Sequence, residues 1–174
     1  MNLNIRQIGV DFDAAQDRLM LKISIDPGRV LRFLISRRYL KLFWTHVVGL
    51  MEKHGLADPT LSESARRAVR EMRQEEALAK ADFGKPFQEG PAVGGPFERP
   101  LLLTAIRFEL RERGHWQLSL IPPDGPSVDL NLPDHLVLAI CKLLREAALR
   151  AEWNLDLKLF DAAPAAEPVA RRLN

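Results

Sequence analysis

The run Leu19-Met20-Leu21-Lys22-Ile23, the turn Asp26-Pro27-Gly28, and the run Leu31-Arg32-Phe33-Leu34-Ile35-Ser36-Arg37-Arg38-Tyr39-Leu40 decide the fold. Apolar residues at every second position predict two strands, each with one side on a core. Proline fixes φ and glycine accepts positive φ, so the residues between the runs suit a tight turn. After Ser36 the period changes from two to that of a helix. Leu40, Phe43, Trp44, Val47, Leu50 and Met51 form one buried stripe, and Ser36 suits the N-cap. An earlier alternating run, Ile8-x-Val10-x-Phe12, supplies a third strand and completes a β-β-β-α unit.

The same order returns later in the chain. Ile106-x-Phe108-x-Leu110 and Trp116-x-Leu118-x-Leu120 predict a hairpin. Pro123-Asp124-Gly125 predicts a turn, and Val128-x-Leu130-x-Leu132 a third strand. Pro133 suits the first helical position, and Val137, Ile140, Cys141, Leu144, Ala147 and Ala148 make the helix stripe. One such unit is too small to bury its own apolar face. The expected class is therefore α+β: two diverged β-β-β-α repeats packed with pseudo-twofold symmetry. Antiparallel sheets carry helices on one face, with an inserted polar helix.

The expected organisation is a first repeat over 1–56, an inserted helix over 57–83, a Gly/Pro-rich connector over 84–100, a second repeat over 101–160 and a tail over 161–174. The inserted helix draws support from acid–base pairs such as Glu75 and Glu76 near Arg73 and Lys80. The connector holds Gly84, Pro86, Gly90, Pro91, Gly94, Gly95, Pro96 and Pro100, which predict irregular backbone tacked down by Phe83, Phe87 and Phe97. Alternation at Trp153, Leu155, Leu157 and Leu159 predicts one more short strand.

With 174 residues and 47% apolar content, the chain is long and apolar enough to fold around a core. A net charge of +2 gives no field strong enough to specify a polyanion for the whole chain. The single cysteine, Cys141, excludes an intramolecular disulfide and reads as a small buried hydrophobe. The N-terminus lacks the pattern of a signal peptide, and no apolar run is long enough to span a bilayer. The expected location is the cytoplasm, with no membrane partner.

No P-loop, Rossmann glycine pattern, nucleophile elbow or zinc-protease motif occurs. The histidines lack ligand spacing, so neither metal nor cofactor is expected, and the chain is read as not an enzyme. The candidate chemistry lies in charge. Arg18, Lys22, Arg32, Arg37, Arg38 and Lys41 crowd the first unit, whereas acids and bases balance in the second. Arg37 and Arg38 stand in a first helical turn, where cations oppose the helix dipole. Two readings fit: an anion or partner site, or pairing with an acid of the same fold. Met20, Val30 and Leu34 share the outward strand faces with Arg18, Lys22 and Arg32, a mixture suited to a protein interface.

The duplicated order resembles the Pur-type repeat and the whirly-type single-strand binders, which have four strands per unit where three are read here. That resemblance implies a single-stranded nucleic acid held on the basic face of the first repeat. The segments Gln16-Asp17-Arg18-Leu19, Ile35-Ser36-Arg37-Arg38-Tyr39, Glu75-Glu76-Ala77-Leu78 and Ala81-Asp82-Phe83 resemble a set of uncharacterised bacterial proteins with no assigned activity. The outward strand faces lack the aromatic residues on which bases stack. The leading expectation is therefore a protein-binding or assembly role, with an unidentified protein partner and self-association into a homo-oligomer. Nucleic-acid binding is the alternative.

Overall fold

A computed structural model describes residues 3–54, 85–112 and 114–158, with Ser62, Ser64, Ala65, Ala68 and Met72. The first three strands are β1 (Ile5–Asp13), β2 (Arg18–Ile25) and β3 (Arg29–Ile35), followed by helix α1 (Arg37–His54). A 3-10 turn at Gly95–Phe97 leads to β4 (Leu101–Leu102). Then come β5 (Ala105–Glu112), β6 (His115–Ile121), β7 (Val128–Pro133) and helix α2 (Asp134–Arg150). The protein is α+β, with sheets ordered β1-β2-β3-β4 and β5-β6-β7.

Both hairpins are antiparallel, with Leu21 opposite Val10 and Phe33 in the first sheet and Leu118 opposite Phe108 and Leu130 in the second. β4 joins β3 in parallel, pairing Leu101 with Phe33 and Leu102 with Leu34. The alternation put Leu19, Leu21, Ile23, Leu31, Phe33 and Ile35 on the core side, and all six are buried. Leu110 departs from its pattern and is 41% exposed at the far end of β5.

The helices cross over. α1 packs against β5, and α2 packs against β1 as well as β2, β6 and β7. One continuous core results, running from Val10 through Phe43, Trp116 and Leu144 to Trp153. Phe108 and Trp116 stack within it, with centroids 4.6 Å apart. Each such aliphatic or aromatic side chain contributes about 1.5–3 kcal/mol when withdrawn from water.

Several details differ from the sequence expectation. Pro133 is the N-cap of α2 rather than its first residue, and Asp134 takes the first turn. The connector is less irregular than its composition suggests. It forms the 3-10 turn, and Ala92 bridges Val30 in parallel. Residues 151–158 contain no strand. Glu152 and Asn154 adopt φ of 55° and 51°, which breaks the extended path, while Trp153 and Leu157 still turn into the core. Of the inserted segment, Ser64, Ala65, Ala68 and Met72 are helical, and the rest of that expectation lies outside the described residues. The tail over 161–174 and Leu159 also lie outside them. No helix among the described residues is long and apolar enough to cross a membrane.

Candidate functional site

The outward face of the first sheet is covered by its own connector. Residues 85–93 cross it as a strap. The Gln88 N–H donates to Gln7 Oε1 on β1, and the Phe87 ring lies over Gly9. Glu89 then receives Lys22 Nζ at 2.5 Å and Arg32 Nη2 at 3.0 Å. Arg32 also donates to the carbonyl of Gly90, and Val30 donates its N–H to Pro91. At the far side Arg29 Nη1 reaches the carbonyl of Val93.

These contacts decide the state of Lys22. Its side chain is 8% exposed, with Asp11 at 2.5 Å and the Phe87 ring centroid at 4.6 Å. Burial disfavours the ammonium, but hydrogen bonds to Asp11 and Glu89 outweigh it and raise its pKa above the ordinary value. Glu89 is correspondingly held below the usual carboxylate range, first by its hydrogen bond from Lys22 and then by Arg32. Of the candidate contact residues on this face, Val30 is fully buried under the strap, and Met20 and Leu34 are half-buried. Lys22 and Arg32 are engaged internally.

Arg37 is engaged as well. It meets Asp17 at 3.1 Å and lies 5.5 Å from the centroid of Trp153. Asp17 sits in the β1–β2 turn with φ of 49°, a conformation that Asp tolerates better than most residues. Its carboxyl is depressed, chiefly by a hydrogen bond from the Trp153 indole. Arg37 thus follows the intramolecular pairing that the sequence left as one of two readings.

Arg18, Arg38 and Lys41 come together elsewhere. Ser36 caps α1, accepting the Tyr39 N–H at 3.1 Å, and this sets the first turn against the start of β2. Between α1 and β4 runs a groove of about 600 Å³. It is lined by Arg18, Arg38, Lys41 and His46, and by Leu42 and Leu102. Arg18 donates to the backbone carbonyl of Asp17, and among the described residues Arg38 and Lys41 meet no carboxylate. No acidic residue among those described lines the groove. Leu42 and Leu102 are 37% and 39% exposed, large for apolar side chains that share one cleft. His46 Nδ1 lies 3.2 Å from the Leu42 carbonyl.

The sequence missed this groove's apolar half because β4 is two residues long and gives no periodic signal. It missed Glu89 because one acid among prolines and glycines does not announce its partners. Cys141 lies at 0% exposure in α2, and burial pushes its thiol up to about 12, so it offers no nucleophile. Asp13 is used locally, accepting the N–H groups of Ala15 and Gln16. A comparison with protein-family models, curated proteins and solved structures gives no match. Fold and site therefore define this chain only as an α+β protein with a basic, partly apolar groove beside its first helix.

Proposed function

We propose that this is a non-enzymatic, cytoplasmic protein-binding or assembly protein, and that its contact site is the groove between α1 and β4. The partner presents an acidic segment carrying apolar side chains. One observation carries the reading: three cations and a histidine surround two exposed leucines, with no carboxylate among the described lining residues. An acidic segment would supply the missing counter-charge while covering Leu42 and Leu102. Single strands are the second reading, favoured by the topological resemblance. Against it, the groove's aromatic, Tyr39, is 3% exposed and offers no stacking face.

The architecture is read as a duplication with pseudo-twofold symmetry. Gly28 and Gly125 both have positive φ in the turn before the third strand. Asp17 and Gly114 both have positive φ in the hairpin before it, and each touches the first residue of its unit's helix: Arg37 through a side chain, Asp134 through its backbone N–H. Each helix lies on the first strand of the other unit.

The test is size exclusion with light scattering and absorbance at 260 nm, at low and high salt. It compares wild type with Arg38→Glu/Lys41→Glu. A nucleic-acid-free dimer that persists in high salt and dissociates in the double variant identifies a second copy as the partner. A monomer that binds an alternating Glu–Leu peptide, and loses it in the double variant, supports a foreign acidic partner. A monomer carrying nucleic acid that salt strips away overturns the protein reading.

A further inference from the structure

A second cleft, of about 490 Å³, opens between β1, α2 and the start of the strap. That volume falls in the ordinary range for small-molecule sites. Its walls are apolar where Ile8 of β1, Phe87 of the strap, and Leu136 and Leu143 of α2 face it. Leu136, Ala139 and Leu143 lie on one stripe of α2, and Arg150 continues that stripe roughly 10 Å beyond Leu143 at 1.5 Å per residue.

Most charges at this cleft are already matched. Arg6 pairs with Asp26, Asp11 pairs with Lys22, and Lys85 at the start of the strap, which also lines the cleft, is engaged as well. Arg150 differs: it donates to the Val10 carbonyl at 3.3 Å and meets no carboxylate among the described residues. The cleft therefore combines an apolar channel with one guanidinium that lacks a counter-ion near its end. A neutral apolar ligand would leave that guanidinium unmatched, and a polyanion would have to lie on the leucines.

We propose that this cleft binds a small amphiphile with a single carboxylate, the class of medium-chain fatty acids. The alkyl chain lies on Ile8, Phe87, Leu136 and Leu143, and the carboxylate meets Arg150. The site is separate from the α1–β4 groove and does not depend on the function proposed for it.

The test is a titration of the full chain with decanoate, below its micelle concentration, followed by calorimetry and by amide chemical shifts. Decanol and the variants Arg150→Gln, Arg150→Lys and Leu143→Trp provide the comparisons. The expected result is saturable binding that shifts the Gly9 and Leu143 amides, with decanol weaker by about tenfold. Arg150→Gln should bring decanoate down to the decanol level, Arg150→Lys should keep most of the difference, and Leu143→Trp should remove binding by filling the channel. The amide spectrum of each unliganded variant confirms that it is folded. Absence of saturable shifts in the wild type overturns the proposal. So does equal affinity for decanol and decanoate, or decanoate binding unchanged in folded Arg150→Gln or Leu143→Trp.

Discussion

The indole Nε1 of Trp153 donates a 2.7 Å hydrogen bond to Oδ1 of Asp17, joining residues 136 apart. It ties the segment after the last helix to the first hairpin turn. Trp153 is 3% exposed, so Trp153→Ala would open a core cavity and cost about 3–5 kcal/mol. Trp153→Phe keeps a six-membered ring in the core and loses the donor together with the pyrrole part of the indole, so it should cost distinctly less than the alanine change. Urea unfolding of both variants checks this. Equal losses would mean that the donor and the pyrrole ring, not the rest of the packing, carry the contribution.

The strap's ion pairs are asymmetric in burial. Lys22 is 8% exposed, while Asp11 and Glu89 are 64% and 58% exposed. Removing an acid leaves a buried ammonium short of a partner. Removing the ammonium leaves acids that water can solvate. Glu89→Gln should therefore destabilise by about 1–3 kcal/mol, and Lys22→Met by less than about 1 kcal/mol. Thermal or urea unfolding of the two variants would show the order, and a reversed order would rule out this account of the strap.

The acid of the strap, Glu89, and the acid of the first hairpin turn, Asp17, give a pH dependence. Glu89 and Asp17 both titrate below the ordinary carboxylate range when folded. Their contribution is thus complete above the unfolded pKa, near 4.5 for Glu89 and 3.8 for Asp17. It is lost as pH falls through the lower folded values. The strap should hold at pH 6 and loosen in acid before the core opens. Hydrogen exchange at Gln88 and Val30, followed from pH 6 downward against a core amide such as Leu118, measures this.

The elements with long periodic signals were legible in the sequence. The six main strands and the helices α1 and α2 follow from alternation and from stripes such as Leu40, Phe43, Trp44 and Val47. The site was only half legible, because charge can be counted from a sequence but its neutralisation cannot. Lys22, Arg32 and Arg37 looked the same as Arg38 and Lys41 until Glu89 and Asp17 were seen to reach the first three. Those contacts span 67, 57 and 20 residues, beyond any local rule. Over the described residues 153–158 the strand reading failed for a local reason. Alternation fixes which residues turn inward, but the left-handed residues Glu152 and Asn154 bend the backbone away from a ladder.

Two glycines should respond with opposite signs to the same substitution. A Cβ on Gly90 would drive into the backbone carbonyl oxygen of Gly28 and approach Val30 Cγ2 at 3.3 Å. Backbone cannot swing aside as a flexible side chain can, so the strap itself must lift. That movement would break the Val30–Pro91 and Arg32–Gly90 hydrogen bonds together. Gly90→Ala should therefore cost more than Glu89→Gln, which removes one carboxylate and leaves the backbone in place. Gly49 lies on the exposed side of α1, with nothing within 4 Å of its would-be Cβ. There alanine only restrains the unfolded chain and favours the helix, so Gly49→Ala should stabilise by about 0.5–1 kcal/mol. Urea midpoints of the two variants give the signs, and faster exchange of the Val30 amide in Gly90→Ala alone locates the damage in the strap.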